Sequence, residues 1–124
     1  PQSGTWYQVT DQGAREGNYL ESSATALFVY TLAKAINKGY LGNEYIEPTK
    51  KAFDGMVKTF TRLEEDGSYT ITNCCAVAGL GGDSKRYRDG SFEYYISEPI
   101  IENDPKSVGS FILAAIEYEK LTTK

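Results

Sequence analysis

Residues 22–37 read Ser22-Ser23-Ala24-Thr25-Ala26-Leu27-Phe28-Val29-Tyr30-Thr31-Leu32-Ala33-Lys34-Ala35-Ile36-Asn37, and this stretch decides the fold. Leu27, Phe28, Val29, Leu32, Ala33 and Ile36 recur at helical spacing, and Ala24, Ala26, Tyr30 and Ala35 fill most of the remaining circumference. Only Lys34, Asn37 and the following Lys38 demand water. Ser22 or Ser23 supplies a cap, and Lys38-Gly39 an exit. A helix apolar nearly all round is expected to be buried between neighbours.

Downstream, a second helix is predicted from near Pro48, with Ala52, Phe53, Met56, Val57, Phe60 and Leu63 on one face. Lys50, Lys51, Asp54, Lys58 and Arg62 take the wet side. Asp66-Gly67 is a turn, and the β-branched run Ser68–Thr72 predicts a short strand or hairpin arm. Residues 73–90 read as a glycine-rich loop. Ser91 caps a short helix through Ile96, ended by Pro99. Asp104-Pro105 opens a last helix, with Val108, Phe111, Ile112, Ala115 and Leu121 marking one face. Upstream, residues 1–21 are polar and lack a sustained period. The class is all-α, with a short β-hairpin and long polar loops. Three long helices are too few to surround one of their number, so the pattern implies a missing partner: the rest of a larger protein, or a second copy of this chain.

At 124 residues the chain suffices for a single segment of one domain. Its net charge of −4 argues against general nucleic-acid binding, which needs a basic face. No apolar run approaches the ~20 residues that cross a bilayer, so no membrane partner is expected. The absence of histidine excludes a histidine base and most catalytic zinc sites within this chain. Ten tyrosines point weakly to a hydroxyl-rich ligand such as a sugar. Cys74 and Cys75 are adjacent, which disfavours a disulfide framework, and they read as two small buried thiols. The chain opens at Pro1 without a leader and reads there like a mid-protein loop, which suggests a fragment.

Three constellations could carry chemistry. The first joins Trp6, Tyr7 and Gln8 to Arg15, Asn18, Glu21, Ser22 and Ser23. An indole stacks on a sugar ring, Gln8 and Asn18 serve hydroxyls, and Arg15 grips a carboxylate through two parallel bonds. Equally, Trp6 anchors the core while Glu21 and the serines serve the helix end. The second is Gly79, Gly81 and Gly82, which lack the Gly-Lys-Ser/Thr of a phosphate loop and read as backbone freedom. The third is Arg86, Arg88 and Asp89 with Tyr94, Tyr95 and Glu98. Here a surface ion pair stands against an arginine facing an anionic ligand beside tyrosines. Asp54, Glu64, Glu65, Asp66, Glu117 and Glu119 fall on wet faces and turns, and no carboxylate pair of the glycosidase kind is marked.

Four ordered blocks resemble one family. They are Ser3-Gly4-x-Trp6-Tyr7-Gln8-Val9 continuing to Arg15-Glu16-Gly17-Asn18-Tyr19-x-Glu21-x-Ser23-Ala24; Cys74-Cys75-x-Val77-Ala78-Gly79-Leu80-Gly81-Gly82; Arg88 through Pro99; and Asn103-Asp104-Pro105-Lys106-x-Val108-Gly109. Together they are similar to the bacterial unsaturated rhamnogalacturonyl hydrolases of glycoside hydrolase family 105, which is related to the unsaturated glucuronyl hydrolases of family 88. The resemblance covers nearly the whole chain. It implies the C-terminal third of a six-hairpin (α/α) barrel. The implied activity removes a 4,5-unsaturated galacturonyl residue from pectin-derived oligosaccharides by hydrating its double bond, without metal or organic cofactor. The implied proton-transfer aspartate belongs to the preceding part of the family sequence, so no catalytic residue is assigned here. The implied substrate-binding residues are Trp6, Gln8, Arg15, Asn18, Glu21, Ser23, Arg88 and Tyr94. The implied partners are an unsaturated uronic-acid oligosaccharide and the N-terminal part of the barrel, with a homodimer of the fragment as a further form. A bacterial cytoplasm or periplasm is the implied setting. The alternative is a carbohydrate-binding or structural interaction module without catalysis.

Overall fold

A computed structural model describes residues 1–83 and 87–123, so Arg86 of the third constellation lies outside the described residues. Helix α1 spans Ser22–Asn37 and α2 spans Ile46–Phe60 after a single 3₁₀ turn at Asn43–Tyr45. Two short strands, β1 (Thr61–Leu63) and β2 (Tyr69–Ile71), form an antiparallel hairpin in the register Thr61↔Ile71 and Leu63↔Tyr69. Strand β3 (Cys74–Cys75) pairs antiparallel with β4 (Ile100–Ile101). Helix α3 (Phe92–Ser97) lies between these two strands in sequence, and α4 (Pro105–Thr122) closes the chain. The mostly helical architecture with one short hairpin is the one the sequence predicts.

Helix α1 is capped by Glu21, whose carboxylate accepts from the Ala24 N–H at 2.7 Å, and not by Ser22 or Ser23. Those serines are spent elsewhere. Ser22 shares a 2.6 Å hydrogen bond with Ser107 at the start of α4, and Ser23 donates to Glu21 Oε1 at 2.9 Å. At the far end, Asn37 donates to the Glu117 carbonyl at 2.8 Å. Start meets start and end meets end, so α1 and α4 run parallel. Ser107, Ser110 and Ala114 of α4 and Ala26, Val29 and Ala33 of α1 are all buried, and small side chains such as these let the two helices approach closely. That seam turns α4 away from the expected face. Phe111 is buried as predicted, but Ile112 is 56 % exposed, and Leu113 and Ile116 are exposed with it. Likewise α1 is not covered all round: Leu27 is 48 % exposed and Phe28 is exposed beside it.

Helix α2 turns back against α1 and supplies Ala52, Met56 and Phe60 to a core completed by Ala26, Val29, Phe111 and Ala114. Phe60 meets Phe111 edge-on at 6.5 Å between centroids. The helix starts two residues before Pro48 and stops at Phe60, where Thr61 turns extended at φ −106° and ψ 135°. Leu63, expected on the helical face, is instead an exposed strand residue. β-Branched Thr61 ends the helix because pairing with β2 competes for its backbone. Gly55 lies against the N-terminal segment: a Cβ there would stand 1.9 Å from the Ser3 carbonyl oxygen. Residues 1–5 are thus clamped on α2, and this clamp places the loop that follows.

Candidate functional site

The polar segment before α1 is an ordered arm folded back on itself. Gln8 N–H donates to the Tyr19 carbonyl at 2.8 Å and Glu21 N–H to the Trp6 carbonyl at 2.9 Å. Asn18 staples its interior: Nδ2 donates to the carbonyls of Val9 and Gln12 at 2.9 Å each, and Oδ1 accepts from Val9 N–H at 3.2 Å and Tyr19 N–H at 3.1 Å. Two donors and two acceptor bonds exhaust this amide, so Asn18 shapes the loop. Trp6 is half-buried. Its ring lies 5.1 Å from that of Phe28, and with Leu32, Pro48 and Ala52 it lines a concavity of about 290 Å³. These contacts lie on the α1–α2 side and are those of an anchor.

Glu21 is the buried pivot, 1 % exposed. Beyond its cap it accepts from the Cys75 N–H at 2.9 Å, so one carboxylate ties the arm, α1 and β3 together. Three donated hydrogen bonds at a helix N-terminus satisfy this carboxyl group where it is buried. Gln8 reaches the same strand, its Nε2 donating to Cys75 Sγ at 3.3 Å. Both cysteines are buried free thiols, as their composition suggests. Burial pushes the Cys74 thiol up, and the Glu21 charge adds to the rise. Burial likewise pushes the Tyr19 phenol up, with Cys75 and Glu21 adding to it.

Arg15 crosses to α3. Its guanidinium lies 3.9 Å from the Phe92 ring centroid, pairs with Glu93, and donates to Gln12 Oε1 at 2.8 Å. That arrangement uses its fork to fasten the arm to α3, at a site open enough for solvent to weaken the pair. Helix α3 is capped as predicted, Ser91 Oγ accepting from Tyr94 N–H at 3.1 Å. Asp89 accepts from Ser91 N–H at 2.9 Å, which leaves Arg88 to face a different acid. Arg88 Nε stands 3.9 Å from Oε1 of Glu98, which is buried. Tyr94 lies one turn before Glu98 on α3. Loss of water pushes its phenol up, and the Glu98 carboxylate adds to the rise. Arg88 is positioned by the glycines: Gly81, at φ 76°, exchanges two backbone hydrogen bonds with it at 2.8 and 2.9 Å. This is the loop role expected of the second constellation.

The structure therefore gathers the arm, β3, α3 and the Arg88 segment at the end where parallel α1 and α4 begin. Gln8, Glu21 and Ser23 meet at β3, Arg15 meets α3, and Arg88 and Tyr94 meet at Glu98. Trp6 turns to the opposite flank. The grouping of Glu98 with Arg88 and Tyr94 is the one the sequence suggests, whereas Glu93 as the partner of Arg15 and Cys75 as the partner of Gln8 and Glu21 are not. Only the Tyr94–Glu98 spacing of four carried a signal. Among the described residues there is no group of three or more Cys, Asp or Glu side chains arranged to hold a metal. Among the described residues no helix is long and apolar enough to cross a membrane.

The model of glycosyl hydrolase family 88 matches residues 1–122. The chain belongs to this family. A glycoside hydrolase of family 105 from C. acetobutylicum ATCC 824 is 48 % identical, with a TM-score of 0.92 over 95 % of this chain and 32 % of that one. A Klebsiella pneumoniae protein described as a possible family 105 member is 28 % identical, with a TM-score of 0.73 over 97 % of this chain and 27 % of its own. The Agrobacterium fabrum protein Atu3128 is 38 % identical over 120 residues, 94 % of this chain and 52 % of its own length. This chain thus spans about half of such curated relatives and about a third of the solved ones. Its fold is that of the C-terminal part of the family 105 helical barrel.

Proposed function

We propose that this chain forms the substrate-side loops of an enzyme that removes 4,5-unsaturated galacturonyl residues from pectin-derived, rhamnogalacturonan-type oligosaccharides. Hydration of the ring double bond releases the neighbouring sugar. The observation that carries the reading is the 48 % identical family 105 structure, matched across nearly every residue of this chain. The local chemistry supports it. Arg88 pairs at 3.9 Å with the buried acid Glu98 while part of its side chain stays open to solvent, with Tyr94 beside the same acid, an arrangement suited to a uronate carboxylate and an adjacent hydroxyl. Gln8, Asn18, Glu21, Ser23 and Arg15 act by holding the arm and α3 in place around that point. Trp6 fixes the arm to the core.

The proton-transfer group is assigned to the helices that precede this third in the longer relatives, and those helices are the partner that covers the exposed faces of α1 and α4. Glu21 is committed to its three hydrogen bonds, and the other described carboxylates sit in ion pairs, caps or water. The test is loss of the alkene's ultraviolet absorbance on an unsaturated galacturonyl disaccharide. This chain alone is expected to be inactive, because positioned acid–base catalysis supplies ~10²–10⁴-fold. Mixed with the preceding two thirds of the C. acetobutylicum protein, it is expected to turn over, and Arg88→Ala to lower that rate at least tenfold. Turnover by the chain alone, or no effect of Arg88→Ala, overturns the reading.

A further inference from the structure

The opposite end of α1 carries a second arrangement that the loop site does not use. Helix α1 ends in two reverse bonds: Gly39 N–H donates to the Ile36 carbonyl at 3.0 Å and Tyr40 N–H to the Ala35 carbonyl at 2.8 Å, with Gly39 at φ 72°. A helix end closed in this way normally tucks the residue after the glycine against the last turn. Here that residue, Tyr40, is 81 % exposed, an aromatic ring on a fixed backbone yet facing water. Tyr30, one face of α1 away, carries Lys34 Nζ over its ring at 4.8 Å. Tyr30, Tyr40, Lys34 and Lys38 line a depression of about 340 Å³. Lys34 and Lys38 also line an adjoining depression of about 540 Å³ that adds Asn37, Glu117 and Lys120.

Three lysines against one carboxylate make this a cationic spot on a chain of net charge −4. Glu117 is engaged, accepting from Lys120 at 2.9 Å and from Asn37 at 3.1 Å. Tyr30 is half-buried against the core and takes a hydrogen bond from Lys34 on its hydroxyl, so the open ring face is that of Tyr40. One exposed aromatic ring flanked by lysines matches a ligand with an apolar ring face and negative charge.

We propose that the Tyr30–Tyr40 groove is a second binding site for an acidic oligosaccharide, apart from the loop site at the other end of α1. Tyr40 stacks on a sugar face, and Lys34 and Lys38 meet uronate carboxylates. The choice of a uronate rests on the proposed function, whereas the need for an anion and a ring face rests on the groove itself. A site of this kind raises the local concentration of a polymeric substrate without taking part in its chemistry.

The test uses this chain assembled with the preceding two thirds of the C. acetobutylicum protein and saturated trigalacturonate, which has no alkene, with uncharged galactotriose as comparison, by heteronuclear NMR titration in low and in 0.2 M salt. Trigalacturonate is expected to shift resonances of Tyr30, Asn37 and Tyr40 and to bind several-fold more weakly in high salt. Galactotriose is expected to bind at least tenfold more weakly. Tyr40→Ala, at a side chain that touches little, is expected to weaken binding about fivefold or more. Lys38→Glu is expected to weaken it about tenfold and to remove the salt dependence. Lys58→Glu, the same charge change on the exposed side of α2, is expected to leave it unchanged. Equal binding of both sugars, no binding to 10 mM, or a loss through Lys58→Glu as large as that through Lys38→Glu overturns the proposal. Because trigalacturonate is not turned over, failure here leaves the hydration assay standing, and failure of that assay leaves this titration standing.

Discussion

Replacing Glu21 with glutamine changes one atom and tests what this buried carboxylate does. Oε1 accepts from Ser23 Oγ and Cys75 N–H, both at 2.9 Å, and Oε2 accepts from Ala24 N–H at 2.7 Å. Glutamine keeps one acceptor. With its oxygen at the Oε1 position, the new amide N–H₂ points at the Ala24 N–H, and the helix loses its cap; with the amide flipped, the N–H₂ faces the Cys75 N–H instead, while the Ser23 hydroxyl turns to accept. A lost cap costs about 1 kcal/mol, and a buried donor facing a donor adds about 1–2. A total near 2–3 kcal/mol corresponds to a fall in Tm of about 8–12 °C for a domain of this size. The assay is a circular dichroism melt with urea titration at matched oligomeric state, beside sugar binding at the loop site. A Tm within 2 °C of the parent, with binding lost, would refute the reasoning and return Glu21 to direct contact with ligand.

Further outcomes follow from the same contacts. Trp6→Ala strips an indole from Phe28 and the core, and is expected to cost about 2–3 kcal/mol, read as a lower Tm; unchanged Tm with weakened turnover would assign Trp6 to sugar stacking. Asp104 caps α4, and its carboxyl is held below the ordinary 3.8, first by the hydrogen bond to Lys106. A depressed folded value gives stability that is complete above the unfolded pKa and lost as pH falls through the folded one, so the acid limb of a Tm-against-pH curve should flatten in Asp104→Ala. Leu27, Phe28, Ile112, Leu113 and Ile116 leave two helices with exposed apolar faces. Even 600 Å² of such surface corresponds to about 15 kcal/mol, so the isolated chain is expected to self-associate or melt without cooperativity. Sedimentation across a dilution series, showing a compact monomer with a sharp melt throughout, would defeat this.

Helix existence was legible wherever a 3.6-residue period ran for three turns or more, as in α1 and α2. The cap of α3 and the Asp104-Pro105 start of α4 were legible from side-chain chemistry alone. The face of α4 was not, because Ser107, Ser110 and Ala114 score as weakly apolar while their smallness is what admits α1. Nor was the β3–β4 pair, since two-residue strands have no period and Cys74 and Ile101 are far apart in sequence. In the site, the residue types were legible but their partners were not. The service of Glu21 to the helix end was legible as one of two readings, but its bond to Cys75 was not. Arg15 looked free until Phe92 and Glu93 were placed beneath and beside it.

The parallel pairing of α1 with α4 has a consequence for how the chain is made. Ser22 and Ser107 are separated by 85 positions, and their helices supply opposite halves of one core. Contacts of that span are slow to form, because the intervening chain must be ordered before they repay its entropy. During synthesis α1, α2 and the hairpin emerge with their shared face open, and only the arrival of Phe111 and Ala114 closes it. Synthesis halted before residue 105 therefore leaves an uncovered core, a substrate for chaperones and proteases, and the placing of Phe111 and Ala114 removes that liability from this face.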